Sequence, residues 1–239
     1  MRTIRATWFT EPAPGNFGDI LTPYILGKYG YEVSLVRWNN ISNSEVIAVG
    51  SIARLAKAGI SVLGSGILSR LERLYPAANW VWVRGPITRG RLIECGGNCD
   101  EIYGDMALLL PRIYAPKIEK TTNIGLIPHH VDYDWVKAAY KKHKVINLIN
   151  GNVEEVIDEI LSCERVISSS LHGIIVANAY GIPAAWAPLA KLIGDDTKFY
   201  DYAASVSQEL IPSSIESPVF INPSIDTVKI HEILVNNKF

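Results

Sequence analysis

RVISSSLHGIIVANAYGIPAAW, residues 165–186, contains a complete strand–helix–strand pattern and sets the fold class of the chain. A short apolar run leads through three serines and a histidine into an apolar segment of helical length. A second apolar run follows Gly181 and Pro183. Strands joined by a helix in this way lie parallel in one sheet. Because similar alternation recurs along the chain, the sequence predicts an α/β protein with mainly parallel sheets.

Two series of such units are predicted, one in each half of the chain. The first half is expected to contain a helix that begins near Asp19, whose carboxylate would cap it. First-half strands are expected at 3–9, 32–36, 46–49, 61–63 and 80–83. Second-half strands are expected at 124–127, 145–149, 165–167 and 184–186, with helices at 132–142, 153–161, 171–180 and 228–235.

A boundary between the two series is predicted near residue 115. Pro111, Pro116 and the charged run KIEK interrupt both periodicities there. The chain has 239 residues, which is enough for two small domains. We therefore predict two Rossmann-like domains, 1–115 and 116–239, the second with a closing C-terminal helix.

The composition is that of a globular protein, with 48% hydrophobic and 20% charged residues and a formal net charge of -1. With this net charge, the protein as a whole has no positive potential that would attract nucleic acid. The apolar stretch 174–190 is interrupted by Asn, Gly and Pro and falls short of the ~20 residues of a membrane span. Since the N-terminus also lacks the apolar core of a signal peptide, we expect a cytoplasmic protein without an integral membrane span.

Chemically useful side chains follow the strand at 165–167. In open α/β sheets, ligands bind beyond the carboxyl ends of the strands, where helix N-termini present free N–H groups. The turn could hold a phosphate or carboxylate, and its histidine could exchange a proton near pH 7. The alternative is that the serines cap the helix and the histidine makes one structural hydrogen bond. The turn comprises Ser168, Ser169, Ser170, Leu171, His172 and Gly173.

The loop GNFGD, residues 15–19, is the first-half counterpart of this turn. Gly15 and Gly18 permit close backbone approach to a ligand, and Asn16 and Asp19 supply polar groups. The loop lacks the glycine spacing of a dinucleotide site, and no P-loop lysine follows it. Ordinary turn and capping chemistry is the alternative interpretation.

Arg84 and a histidine pair complete the candidates at strand ends. Arg84 would present its guanidinium fork to a carboxylate or phosphate, or else be a solvated surface arginine or form an interdomain ion pair. His129 and His130 follow the first strand of the second half. Neighbours in an extended segment point to opposite sides, so at most one is expected to face a site. No third ligand is suitably spaced, so no metal site is predicted. Asp105 reads most simply as an N-cap.

Taken in order, GNFGD, VRGP, YGDMALLLP, IPHH, SSSLHGIIVANAYGIP and GDDTKFYDY resemble the polysaccharide pyruvyl transferase family, from about Asn16 to Tyr202. Members of that family move a pyruvyl unit from phosphoenolpyruvate onto two sugar hydroxyls, which forms a cyclic ketal and releases phosphate. The resemblance implies a GT-B-like fold with the active cleft between two Rossmann-like domains. The resemblance implies no cofactor. It also implies a sugar acceptor that is free or lipid-linked, and a lipid-linked acceptor would bring the protein into peripheral contact with a membrane.

The resemblance also implies roles for individual residues. Arg84 matches the arginine of the family's donor site, His172 matches its histidine, and Asp19 matches the acidic residue of the first loop. These three are the expected catalytic residues, with the acid and base roles open between His172, Asp19 and the histidine pair. Donor binding is assigned to Arg84, the turn at 168–173 and Lys198; acceptor binding is assigned to Asn16, Gly18, Asp19, His129 and His130.

One departure from the family pattern concerns position 170. Many relatives carry an arginine two residues before the histidine, where this chain has Ser170. Lys191 or Lys198 could replace that cation, or donor binding could depend more on Arg84 and helix N–H groups. A glycosyltransferase that uses a nucleotide sugar and a non-catalytic module that binds an anionic sugar remain the alternative functions. The sequence leaves the oligomeric state open.

Overall fold

A computed structural model describes residues 2–189, 194–236 and 239. The first half forms a five-stranded parallel sheet in the order β2-β1-β3-β4-β5. Its strands are β1 (Arg2–Thr7), β2 (Tyr31–Leu35), β3 (Val46–Ile47), β4 (Ser61–Leu63) and β5 (Asn79–Trp82). All of their carboxyl ends therefore meet at one edge of the sheet.

The second half forms another five-stranded sheet, in the order β10-β9-β8-β6-β7. Its strands are β6 (Thr122–Ile127), β7 (Lys144–Val145), β8 (Cys163–Ser168), β9 (Ala184–Trp186) and β10 (Phe220–Ile221). Four of them are parallel, and β10 is antiparallel to β9. The predicted α/β class with mainly parallel sheets is confirmed, and the arrangement is consistent with two Rossmann-like halves.

Eight α-helices connect the strands or pack on the sheets within the described part of the chain. They are α1 (Phe17–Lys28), α2 (Pro86–Glu94), α3 (Leu110–Ile113), α4 (Tyr133–Ala139), α5 (Val153–Leu161), α6 (Leu171–Ala179), α7 (Thr197–Ser205) and α8 (Val228–Val235). Each of these helices falls short of the length and hydrophobicity that a membrane crossing requires.

The start of α1 differs from the prediction because a contact with the second half determines it. Asn16, not Asp19, is the N-cap residue, and Asp19 lies in the first turn. The N–H of Phe17 donates to the carbonyl of Leu148 over 2.7 Å, and Asn16 forms an isolated bridge with Ile149. The residues around Leu148 thus hold the helix start instead of extending β7, which is why that strand is shorter than predicted.

The main hydrophobic core runs through both halves. One buried cluster includes Leu21 and Trp82 from the first half and Ile174 and Trp186 from the second. Helix α8 packs on the first half, where His231 Nδ1 lies 2.7 Å from the hydroxyl of Tyr29. The chain after residue 115 therefore returns to the first half, and the limits 1–115 and 116–239 stay a prediction.

Candidate active site

A cavity of about 220 Å³ lies beyond the carboxyl ends of strands from both sheets. Because parallel strands of each sheet end at one edge, the loops after β1, β3, β4, β6 and β8 all reach it. Its lining comprises Phe9, Asn16, Asp19, Gly50, Ser51, Ile52, Arg54, Leu68, His129, His130, Ser170, Leu171, His172 and Lys198. Candidate residues from the two halves are thus brought together.

His172, in the first turn of α6, is held between the two halves. A Cβ atom at Gly18 would overlap its imidazole, so the absence of a side chain at position 18 makes room for the ring. On the other side, His172 Nε2 lies 3.7 Å from Asp105 Oδ2, and both atoms are buried without a hydrogen-bond partner among the described residues. The other carboxylate oxygen of Asp105 accepts from Ala107 N–H at 2.9 Å, which confirms the predicted N-cap.

Asp19 lies in the cavity near two of its histidines. Burial raises the pKa of the Asp19 carboxyl, whereas a hydrogen bond from Asn16 and the nearby His172 and His130 oppose the rise. The amide nitrogen of Asn16 donates to Asp19 Oδ2 over 2.8 Å and fixes the carboxylate. A carboxylate with a raised pKa is a stronger base than an exposed one, which suits proton abstraction from a hydroxyl.

His129 and His130 both line the cavity, so the expectation that at most one would face it was wrong. Their ring centroids are 4.3 Å apart. The segment turns instead of extending, as the 2.8 Å bond from Asp132 N–H to the His129 carbonyl shows. Burial, followed by the neighbouring His130, Lys198 and His172, lowers the pKa of His129 to about 4, so its ring is neutral at pH 7.

Two cationic side chains reach the cavity. Lys198, in the first turn of α7, has a pKa lowered to about 8 by burial and then by the nearby Arg84. Arg54 follows β3, and its Nε lies 3.1 Å from Glu72 Oε1. Sequence reasoning missed Arg54, although VGSIARL places it after a predicted strand as Arg84 is placed. Lys191 lies outside the described residues.

The structure corrects the expected position of Arg84. Its guanidinium is fully buried and does not line the cavity. Nε donates to Asp201 Oδ2 at 3.1 Å, Nη1 to Ser51 Oγ at 2.8 Å and Nη2 to the Ile67 carbonyl at 2.8 Å. The ion pair between the two halves, the alternative interpretation of Arg84, is therefore the one observed. Arg84 is linked to the cavity through its hydrogen bond to Ser51, which does line it.

The serine turn is corrected in part. Ser168 Oγ lies 2.7 Å from the Ile127 carbonyl, and Ser169 Oγ donates to Asp132 Oδ2 at 2.8 Å. Neither residue lines the cavity, and Gly173 packs closely against Ser168. Ser168, Ser169 and Gly173 therefore shape the turn and do not line this cavity. The residues that line the cavity are Ser170, Leu171 and His172, at the start of α6.

Comparison with known proteins identifies the family of the chain. The family model "Polysaccharide pyruvyl transferase" matches residues 16–187. An uncharacterized protein of Acanthamoeba polyphaga mimivirus is 31% identical over an alignment of 210 residues, with coverage of 80% of this chain and 72% of that protein. The ligand-free, open structure of a substrate binding protein with adhesive properties from Clostridium difficile is 16% identical, with coverage of 98% of this chain and 95% of that chain. Its TM-score of 0.24 is too low to bear on the fold. The chain belongs to the polysaccharide pyruvyl transferase family and is a transferase.

Proposed function

We propose that the protein transfers a pyruvyl group from phosphoenolpyruvate to two hydroxyls of a sugar in a glycan precursor, which forms a cyclic ketal and releases phosphate. One observation carries the proposal: the cavity brings cations, a histidine and a carboxylate from both halves around one small space. We further propose that the halves are arranged as in GT-B enzymes and that this cavity is the active cleft between them.

Donor binding is assigned to the cationic side of the cavity. Phosphoenolpyruvate carries a carboxylate and a phosphate, so its site requires fixed cations and oriented N–H donors. Lys198 and Arg54 supply the charges, and the first-turn N–H groups of α6 beside Ser170 supply the donors. Arg54 takes the place of the arginine that many relatives carry at position 170. Arg84 supports the site indirectly, through Ser51 and through the helix that carries Lys198.

Proton transfers are assigned to His172 and Asp19. With Nε2–H directed at Asp105, His172 is left with Nδ1, the nitrogen on the Gly18 side of the ring, to exchange a proton in the cavity. Protonated His172 gives that proton to the methylene carbon of the donor, which creates an oxocarbenium-like centre at C2. Asp19 removes the proton of the attacking hydroxyl, and the first C–O bond forms. Asp105 is a positioning residue that orients the ring.

The second hydroxyl then closes the ring as the phosphate departs. Its oxygen bonds to C2, the C2–O bond to phosphate breaks, and the hydroxyl proton leaves with the phosphate. Proton transfer from Asp19 to the neighbouring His172 restores both groups for the next turnover. The position of the cavity between the halves supplies proximity, and closure of the halves over the substrates limits attack by water on the cation.

We place the reaction on the cytoplasmic side of the membrane, with an acceptor destined for a cell-surface or secreted polysaccharide. The test is incubation with phosphoenolpyruvate and a panel of free and lipid-linked sugars. We expect phosphate release that depends on one acceptor, and a pyruvate-sized mass increase of that acceptor. No release with any acceptor, together with thermal stabilisation by UDP-sugars but not by phosphoenolpyruvate, would contradict the proposal in favour of a glycosyltransferase.

A further inference from the structure

A second cavity, of about 190 Å³, lies beside the candidate active site. It is lined by residues that follow β1, among them Trp8 and Phe9, and by residues that follow β2, among them Arg37, Trp38 and Asn39. Since β1 pairs with both β2 and β3, the cavities above these strands are neighbours along one sheet edge. Phe9 lines both of them, so a ligand longer than one unit could occupy the two together.

The second cavity combines aromatic surface with free polar groups. Trp38 is 61% exposed, and Trp8 and Phe9 are partly buried and line the same cavity. In the described ranges, the side chains of Arg37 and Asn39 make no hydrogen bond to protein and are exposed to solvent. A large exposed aromatic surface with polar groups around it is typical of a binding site.

We infer that this second cavity is an acceptor subsite, which binds the pyranose ring next to the sugar that receives the pyruvyl group. A pyranose has an apolar face of C–H groups, which stacks on an indole, and a rim of hydroxyls, which accept from a guanidinium or an amide. Trp38 supplies the platform, and Arg37 and Asn39 supply the donors. The inference rests on the proposed function, since it extends the acceptor away from the reacting hydroxyls.

The charges of the second cavity favour a neutral sugar over an anionic surface. Arg37 lines it together with Glu11, so the two formal charges oppose each other. Binding to an anionic membrane requires an excess of Lys and Arg, and nucleotide binding requires a net positive site. A neutral polyhydroxyl ring needs neither, and it uses both the apolar platform and the donors at its rim.

The test measures binding without the donor, by saturation-transfer NMR titration of the full chain. The probes are cellobiose, mannobiose and galactobiose, each compared with its monosaccharide. We expect one disaccharide to bind about 10-fold more tightly than its monosaccharide, and Trp38→Ala to remove that advantage. Trp38→Phe should keep part of it. Tyr75→Ala, which removes another exposed aromatic of the first half outside both cavities, should leave binding unchanged.

Several outcomes would overturn the subsite. The inference fails if no disaccharide binds better than its monosaccharide, or if Trp38→Ala binds as the wild type does. It also fails if Trp38→Ala instead abolishes binding to phosphatidylglycerol vesicles or a dimer detected by sedimentation. Phosphate release from phosphoenolpyruvate is measured separately. Trp38-dependent disaccharide binding without any such release would keep the sugar site and reject pyruvyl transfer.

Discussion

The position of the His172 imidazole depends on Asp105 and Gly18, for which the sequence had suggested other roles. Asp105 caps the turn Met106–Leu109 with one oxygen, and its second oxygen faces His172 Nε2. Gly18 was expected to admit a ligand, yet the imidazole occupies the space that a side chain at position 18 would take. Both features can be tested by single substitutions.

Asp105→Asn keeps the oxygen that caps the helix and removes the negative charge of the side chain. The amide oxygen of Asn can still accept from Ala107 N–H, so the free energy of unfolding should change by less than about 1 kcal/mol. Loss of the negative charge opposite His172 should lower kcat about 100-fold, because the ring would no longer be held by Asp105. The measurements are urea denaturation and steady-state phosphate release. An unchanged kcat would leave Asp105 with a structural role only.

Gly18→Ala should impair catalysis through displacement of the His172 ring. A misplacement of about 1 Å at a reacting group can cost about 100-fold in rate, and we expect a loss of this size in kcat/KM. Gly27→Ala, in the same helix, is the matched control. A Cβ atom at Gly27 meets nothing within 4 Å, so that variant should be fully active and about 0.5–1 kcal/mol more stable. Full activity of Gly18→Ala would refute the packing argument.

Lys198 should make donor capture sensitive to alkaline pH. Its pKa is lowered to about 8, and the charge that attracts an anion is present below that value. The kcat/KM for phosphoenolpyruvate should therefore be high below pH 8 and fall as the pH rises through it. Lys198→Arg keeps its charge at all these pH values, so its profile should stay flat on the alkaline side. Identical alkaline limbs in the two proteins would show that another group titrates.

Among the helices, α7 depends on a buried ion pair for its place beside the active cavity. Its Asp201 accepts from Arg84 Nε at 3.1 Å and from Thr88 Oγ1 at 2.7 Å, and both carboxylate and guanidinium are fully buried. A Cβ atom at Gly85 would overlap the Asp201 backbone, which indicates how closely α7 approaches the first half. The pair thus fixes the helix that carries Lys198.

Arg84→Ala should therefore destabilise the protein, by about 3–5 kcal/mol, because Asp201 would be left buried without its counter-ion. Denaturant unfolding of Arg84→Ala, Asp201→Asn and the double variant measures the coupling between the two. Arg5→Ala, which breaks the exposed pair with Glu45, is the control and should cost no more than about 1 kcal/mol. A stable, inactive Arg84→Ala protein would instead favour direct donor binding.

Across the whole molecule, the sequence predicted most elements because most strands contain a short apolar run that is followed by a polar turn. Strands β4 and β9 and helices α5 and α8 have the predicted limits. The site was harder to predict, because residues far apart in the chain decide it. Arg84 does follow a strand, but nothing near it in sequence indicates that Asp201 takes up its charge.

Other site residues depended on local geometry that the sequence pattern does not reveal. The histidine pair faces the cavity because the chain turns at His129, which a strand-like pattern could not indicate. Asp105 was recognised as a cap, and a cap accounts for only one of its two oxygens. The edge rule places Asp19 and His172 at the strand ends of two separate sheets, and the family resemblance predicted that these ends face one cleft.

The shared core predicts that both halves unfold together. The main cluster includes Leu21 of α1 and Ile174 of α6, and α8 packs back onto the first half. Calorimetry should give one transition with equal calorimetric and van't Hoff enthalpies, and circular dichroism and tryptophan fluorescence should report the same midpoint. Two separated transitions would instead support independent domains at the predicted boundary.

The contact between Gly18 and His172 also has an evolutionary consequence. Any relative that keeps the histidine in this rotamer must have glycine at position 18, whereas a relative that has lost the histidine can have alanine or serine there. Substitutions at the two positions should therefore be correlated across an alignment of homologues. The pair Gly18 and His172 would then distinguish relatives that retain the activity from relatives that have lost it.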